Sequence, residues 1–280
     1  MLRLALILFA TLLAAAAQAD KGYTLGLDLQ ADDADGFAAT AFAILLVGEK
    51  TSISGALGKS STDLSQAANA DSIYADLGID HRFGLFGVRL AAAYWGDSDV
   101  LDSRDLQGSV YLSGEHGSIG LSYEDRSLEF QLPPSDFFAR TSFPFEATGW
   151  GLNGRLELGD NVTVYASGTD YDYSVRFLQQ SSDRIRPLIV VSRLSVLSSL
   201  ADWRVSGGIG VDVGEKRLGL DISRWKGAIT GSSNESITAS FLTPLSMRFD
   251  MEVAIGADRS ELFGNATVAS LSFYYYGGDP

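Results

Sequence analysis

The chain has 280 residues, with 35 acidic against 21 basic side chains, a formal net charge of -14, no cysteine and two histidines. This balance leaves no basic surplus to neutralise nucleic-acid phosphates. Without thiolates the chain forms no disulfides, thiolate-ligated zinc sites or iron–sulfur clusters. A hydrophobic content of 46% excludes a disordered chain.

The first twenty residues have the pattern of an export signal. Arg3 supplies a positive start, residues 4–17 form an uninterrupted apolar run, and Ala17-Gln18-Ala19 is the small-x-small pattern that signal peptidase reads. The run is shorter than the roughly 18 residues that a membrane-spanning helix needs, and no lipid-accepting cysteine follows it. We therefore predict a cleaved signal peptide at residues 1–19 and one exported domain at residues 20–280.

Beyond Asp20 the chain alternates apolar and polar side chains with a period of two, which is typical of strands with two different faces. In residues 246–256, for example, one side carries Met247, Phe249, Met251, Val253 and Ile255, and the other carries Arg248, Asp250 and Glu252. Such segments indicate about fourteen strands, beginning near Tyr23, Phe37, Thr51, Asp71, Phe83, Asp105, Ser118, Thr148, Asn161, Asp202, Lys216, Glu235, Ser246 and Thr267.

The connections between these segments alternate in length. Tight turns fall at residues 48–50, 80–81, 115–117, 159–160, 214–215 and 243–244, and longer connections at residues 31–36, 60–70, 96–104, 125–147, 173–201, 227–234 and 257–266. A soluble sandwich has no reason to sort its loops by length onto one end. A transmembrane β-barrel has short periplasmic turns, long outer loops and an even number of strands.

The pattern therefore predicts an all-β fold, a transmembrane antiparallel β-barrel of about fourteen strands within a range of twelve to sixteen. Sixteen strands is the open alternative, because residues 188–191 are also strand-like. The competing interpretation of residues 188–200 is an inward helix or short plug, since Pro187 suits a first helical position and apolar residues follow at helical spacing.

The hairpin Val110–Leu121, with the sequence VYLSGEHGSIGL, is similar to a strand–turn–strand that is common in porins. Near the C-terminus, Leu271, Phe273 and Tyr275 alternate as a barrel assembly signal would. The chain thus resembles the porin-like β-barrels of the Gram-negative outer membrane. This resemblance implies an apolar face towards lipid and a charged face towards the lumen.

Charged side chains of both signs are expected on the lumen face. Charges are costly in a dry interior and stable in a wet one, so they favour a water-filled lumen. The alternative is an interior cross-linked by salt bridges and plugged by a loop. The pore-lining candidates are Asp28, Asp76, Arg89, Arg155, Glu157, Arg204, Asp212, Asp221, Arg248, Asp250 and Glu252.

Two long connections are candidates to fold inward and set the pore size. Residues 126–148 hold three prolines and five phenylalanines, and a segment this apolar is expected to pack against the barrel interior or an outside partner. The other, residues 173–201, is basic, and its constriction candidates are Arg176, Arg184, Arg186 and Arg193. Such arginines would favour anionic solutes, or pair with lipopolysaccharide phosphates or acidic neighbours.

The outer connections in the first half of the chain are acidic, but their spacing does not match a calcium-binding loop, so no metal site is predicted. His116 and Ser118 form a His-x-Ser pattern that resembles outer-membrane lipid A deacylases. His116 is expected in a periplasmic turn, however, away from outer-leaflet substrates. We therefore predict no catalytic residues, no enzyme activity and no cofactor.

The sequence as a whole favours a porin-like channel in the outer membrane of a Gram-negative bacterium, through which small hydrophilic solutes diffuse passively. The principal alternative is a non-conducting structural or adhesive barrel that acts through its surface loops. A lipid enzyme and a soluble exported β-protein are weaker alternatives. The expected partners are outer-membrane lipid, lipopolysaccharide and small solutes, with a possible homo-oligomer and no nucleic acid.

Overall fold

A computed structural model describes residues 22–33, 36–64, 68–97, 101–132, 141–174, 200–228, 231–261 and 264–278. These residues form fourteen antiparallel strands in one closed barrel. The strands are β1 (Tyr23–Asp32), β2 (Phe37–Val47), β3 (Thr51–Leu64), β4 (Ala68–Phe83), β5 (Phe86–Asp97), β6 (Leu101–Gly114), β7 (Gly117–Leu132), β8 (Thr141–Leu158), β9 (Val162–Tyr173), β10 (Ala201–Val213), β11 (Lys216–Gly227), β12 (Ser233–Ser246), β13 (Phe249–Ser260) and β14 (Gly264–Gly277). No helix within these ranges has the length and apolar character to cross a membrane.

The barrel closes where the first strand pairs with the last. β1 and β14 run antiparallel in unbroken register from Tyr23↔Gly277 to Asp32↔Val268. Closure leaves no strand edge to be desolvated by lipid, which offers no hydrogen-bond partner. Since β9 pairs directly with β10, no additional strands enter the sheet between them. The prediction of fourteen strands is confirmed.

The two ends of the barrel differ as predicted, with short turns at one end. Residues 48–50, 84–85, 115–116, 159–161, 214–215 and 247–248 form these turns. Two predicted positions are wrong. The turn expected at residues 80–81 lies at 84–85, where Gly84 adopts a φ of 70° that favours glycine. The turn expected at 243–244 lies at 247–248, because β12 continues through Pro244 with a register irregularity between Pro244 and Ser246.

At the outer end the strands run further than the sequence indicated. The connection predicted at residues 125–147 is largely strand, since β7 extends to Leu132 and β8 begins at Thr141. Residues 60–70 and 96–104 are likewise mostly strand. These three connections therefore belong to hairpins whose strands continue beyond the apolar band.

Alternation along the strands separates an apolar outer face from a polar inner face. Exposed outward side chains include Leu106, Val110, Leu152, Leu156, Ile209, Leu218, Leu220, Ile222, Val253 and Ile255. Tyr123 and Trp150 pack together at 4.9 Å between ring centroids on this face, near the boundary where the strands become acidic. Such aromatic pairs are typical of the interface between membrane and water.

On the inner face, aromatic rings lie over glycines of neighbouring strands. Tyr111 of β6 covers Gly87 of β5, which leaves no room for a Cβ atom there. The Tyr111 hydroxyl then donates a hydrogen bond of 2.7 Å to Asp80 of β4. This contact links three consecutive strands and helps to fix their register.

The assignment of faces predicts a difference between two arginine substitutions. Val253→Arg places a charge on the lipid face and is expected to lower the free energy of unfolding by about 2–4 kcal/mol. Ser240→Arg, on the inner face of the adjacent strand, is expected to cost less than about 1 kcal/mol, since its charge does not meet lipid. Denaturant unfolding in phospholipid vesicles measures both, and a larger loss for Ser240→Arg than for Val253→Arg would reverse the assignment.

Candidate functional site: the inner wall of the barrel

Ten of the eleven predicted pore-lining residues lie in strands, on the face opposite the apolar one. They are Asp28 in β1, Asp76 in β4, Arg89 in β5, Arg155 and Glu157 in β8, Arg204 and Asp212 in β10, Asp221 in β11, and Asp250 and Glu252 in β13. Arg248 instead lies in the turn between β12 and β13, so its expected position on a strand is wrong. The reason is the continuation of β12 past Pro244.

An acidic wall, defined as Asp28, Asp221, Asp250 and Glu252, occupies the inner face from β11 to β1. Ser272 donates a hydrogen bond of 2.6 Å to Asp28. Tyr274 donates to Glu252 at 2.9 Å, and Tyr276 donates to Asp250 at 3.0 Å. Hydroxyl donors orient these carboxylates and bring no opposite charge to them.

No arginine or lysine lies near these carboxylates on the inner face from β12 through β14 and on to β3, as far as the described side chains extend. Inward positions there are mostly small or polar, such as Ser240 and Ser270. The acidic wall therefore has no basic neighbour on β12–β14 or β1, while the inward Arg217 of β11 is paired with Asp212 of β10.

Two inward arginines, Arg155 of β8 and Arg217 of β11, are paired with carboxylates. Arg155 and Glu157 are 3.1 Å apart, and both are about half exposed. Arg217 and Asp212 are 3.6 Å apart, at 38% side-chain exposure each. Exposed pairs of this kind are hydrated and contribute little to stability.

A buried polar network surrounds Arg126 of β7, nearer the outer end of the barrel. The Arg126 Nη2 atom lies 2.8 Å from Glu124 and the Nε atom 3.8 Å from Asp105, while the guanidinium lies 4.4 Å from the centre of the Tyr171 ring. Glu124 also accepts hydrogen bonds from Gln107 and Tyr171, each at 2.8 Å. The Arg126 side chain is only 5% exposed, so this charge is held by several partners at once.

Next to this network is an apolar cluster on the inner face, towards the outer end of the barrel. It consists of Trp95, Leu101, Leu128, Phe145, Ala147 and Leu200, which are 1–7% exposed. Tyr74, Phe130 and Tyr173 pack against it. Together the cluster and the Arg126 network cover the inner face of β5–β9 towards the outer end of the barrel.

The sequence did not indicate this network or this cluster. Residues 124–130 carry polar side chains on both faces, for example Glu124 and Arg126 inward and Asp125 and Ser127 outward. Beyond the apolar band the outer face meets water, so the period-two signal of hydrophobicity disappears. The sequence signal that could have indicated the network and the cluster is the succession of Arg126 and Leu128 on the inner face.

Some residues of the two proposed inward loops lie in strands, and the others lie outside the described residues. Phe130, Phe143 and Phe145 belong to β7 and β8, and Phe145 is buried in the apolar cluster. The other two phenylalanines of that segment lie outside the described residues. So do the four constriction candidates Arg176, Arg184, Arg186 and Arg193, together with residues 188–199.

His116 lies in the turn between β6 and β7, and its carbonyl oxygen accepts a hydrogen bond from the backbone N–H of Glu157. Across the described part of the chain, no three His, Cys, Asp or Glu side chains are grouped so that they could hold a metal ion. The inner wall thus offers charged side chains and hydroxyl groups.

No protein-family model matches the chain, and no curated protein matches it either. Among solved structures, a FadL homologue of Pseudomonas aeruginosa has a TM-score of 0.51 at 10% identity, over 91% of this chain and 89% of that chain. The outer-membrane expressed OmpT of Vibrio cholerae has a TM-score of 0.48 at 10% identity, over 92% and 97% of the two chains. A KdgM porin in complex with disordered oligogalacturonate has a TM-score of 0.43 at 12% identity, over 90% and 98%.

At 10% identity, the likeness to the FadL homologue is a likeness of fold alone. The chain shares with that structure the fold of a closed β-barrel.

The buried and exposed ion pairs are expected to respond differently to mutation. Arg126→Ala leaves Glu124 and Asp105 buried without their cation, and is expected to cost about 3–5 kcal/mol of unfolding free energy. Arg155→Ala, the matched control, removes an exposed pair and is expected to cost at most about 1 kcal/mol. Unfolding of both variants in the same vesicles is the measurement, and similar losses would contradict the burial of the network.

Proposed function

We propose that this protein is an outer-membrane channel through which small hydrophilic solutes diffuse passively. The observation that carries the proposal is the exposed charge on the inner wall, where Arg155 and Glu157 remain 54% and 44% exposed. Transferring an ion from water into a dry interior costs several kcal/mol even after relaxation. Charges that are this exposed on an inner face favour a lumen that contains water.

The apolar cluster and the Arg126 network lie beside β5–β9, and we expect them to determine which side of the lumen a solute passes. A solute that avoids the apolar cluster and the Arg126 network passes along β10–β14 and β1. The acidic wall lines this route, and rings or walls of carboxylates favour cations in other pores. We therefore expect the channel to conduct cations in preference to anions, with the acidic wall as the main determinant.

The predicted constriction arginines would act against this preference if their loop enters the lumen. Arg204 acts in the same direction, because it faces inward on β10 near Tyr171. A preference for cations would therefore indicate that the solute meets mainly the acidic wall, and a preference for anions that it meets mainly the arginines. The signal peptide at residues 1–19 and the contact with lipopolysaccharide remain part of the same proposal.

One observation favours a second function, a non-conducting barrel with a structural or adhesive role. The inner apolar cluster is nearly inaccessible to water, as expected for a plugged interior. In that case the exposed outer ends of the hairpins would carry the function. The presence or absence of conductance separates the two proposals.

The channel proposal is tested by single-channel recording of residues 20–280 refolded into a planar bilayer. We expect discrete, stable current steps and a reversal potential in a KCl gradient that indicates potassium over chloride. Asp250→Asn with Glu252→Gln should move the reversal potential towards zero, and Arg204→Ala should move it further towards cation preference.

Asp172→Asn is the matched control, because it removes a carboxylate from the outward face of β9. This variant should leave the reversal potential within error of the wild type. Insertion without current would favour the non-conducting barrel. Current with an unchanged reversal potential in the double variant would remove the acidic wall from the route.

A further inference from the structure

Four side chains form a polar row across the inner face of β10–β13, near the outer end of the barrel. The strand register places Arg204 beside Trp225, and Trp225 beside Asn234. Asp258 completes the row on β13, because it pairs with the residue two positions after Asn234. All four belong to the inner face, at even separations along their strands from the inward residues Asp212, Asp221, Ser240 and Glu252.

The donor half of the polar row is Arg204 with Trp225. Among the described residues, no carboxylate lies within ion-pair distance of Arg204, and the nearby Asp202 is paired with Lys226 at 3.2 Å. The Trp225 Nε1 atom is buried and donates no hydrogen bond. A guanidinium without a counter-ion next to an unused N–H donor attracts a carboxylate, which the planar guanidinium matches in geometry and charge.

The acceptor half of the polar row is Asn234 with Asp258. Asn234 is only 1% exposed, and its Nδ2 atom donates to the Ser232 carbonyl oxygen at 3.2 Å. This bond fixes the orientation of the amide and leaves the Oδ1 atom buried without a donor, which is costly for an acceptor. Asp258 has no ion pair in the described part of the chain, so this half favours an ammonium group.

Serine hydroxyls lie next to the polar row, one step towards the short turns. Ser206, Ser223 and Ser236 are neighbours in the register on the inner face of β10–β12. Ser206 and Ser167 share a hydrogen bond of 2.6 Å. Because a hydroxyl both donates and accepts, these side chains suit the N–H and C=O groups of a peptide backbone.

The distance between the two halves determines the length of the ligand. Neighbouring strands are about 4.8 Å apart, so the pair on β10 and β11 and the pair on β12 and β13 lie about 10 Å apart at the backbone. A single amino acid is too short to reach both halves. An extended peptide of two or three residues spans about 7–11 Å.

We propose that the polar row binds a short zwitterionic peptide in the lumen. Arg204 and Trp225 hold the terminal carboxylate, Asn234 and Asp258 accept from the terminal ammonium, and the serines contact the peptide amides. The proposal rests on the water-filled lumen of the channel proposed above and names a solute for it. Since a zwitterion has no net charge, the acidic wall does not repel it.

Binding is tested by nuclear magnetic resonance of nitrogen-labelled protein refolded in detergent micelles. The chain has four tryptophans, each with one indole N–H signal, and the Trp225 signal is identified by its loss in Trp225→Phe. The probe is trialanine. We expect it to shift the Trp225 signal until saturation and to leave the signals of the outward Trp150 and Trp203 in place.

Two capped peptides test the two halves of the polar row separately. N-acetyl-trialanine lacks the ammonium group and trialanine amide lacks the carboxylate, so each should bind at least tenfold more weakly than trialanine. Arg204→Gln should remove the preference for trialanine over its amide. Asp258→Asn should remove the preference for trialanine over the acetylated peptide.

Arg224→Gln is the matched control, because Arg224 precedes Trp225 on β11 but is exposed on the outward face. This variant should bind trialanine like the wild type. Equal losses of affinity in Arg204→Gln and Arg224→Gln would overturn the proposal, since they would indicate attraction by overall charge.

The proposal is also overturned if the wild type binds free and capped peptides alike. The same holds if no peptide shifts the Trp225 signal, which would leave water as the partner of the two buried atoms. Both comparisons use the wild type, so they decide the matter even where a variant does not fold. Current without a shift would keep the channel and exclude this site, whereas a shift without current would keep the site and exclude the channel.

Discussion

The absence of hydrogen-bonding partners in the hydrocarbon core of a membrane is the constraint on which this structure depends. Every backbone N–H and C=O group at that depth needs a partner from the chain itself, and a sheet achieves this only when its first and last strands meet. The pairing of β1 with β14 satisfies this requirement. Closure by an antiparallel pair also makes the number of strands even, because each strand runs opposite to both of its neighbours.

Closure gives the sheet an outer face and an inner face. Because the sequence alternates, one face meets lipid and the other faces the lumen. Consecutive residues of a strand face lipid and lumen in turn, so each strand carries two independent patterns. On β13, Val253 and Ile255 face lipid while Glu252 faces the lumen. Interior charge in a membrane protein is therefore compatible with stability where water reaches it, as at Arg155 and Glu157, or where several partners surround it, as at Arg126.

The sequence was sufficient to predict the barrel because lipid enforces alternation within the apolar band, and because turn length differs between the two ends. The sequence was insufficient where neither lipid contact nor turn length determines the structure. Gly84 determines the turn after β4 through its backbone conformation, which hydrophobicity does not report. Above the band, the outer face of β7 is polar and its inner face carries both Arg126 and Leu128, so the period-two hydrophobic pattern that marks the lipid-facing strands does not indicate the network or the apolar cluster. Ten of the pore-lining candidates lie on the inner face, but their part in conduction is still a proposal.

The lumen face and the lipid face belong to the same strands. Ile222 faces lipid and Asp221 faces the lumen, although both belong to β11. A substitution on one face leaves the side chains of the other in place, because the backbone hydrogen bonds of the strand do not depend on either side chain. Since the alternation that predicts the fold also separates these surfaces, a change in ion preference can be assigned to inward residues and a change in stability within lipid to outward ones.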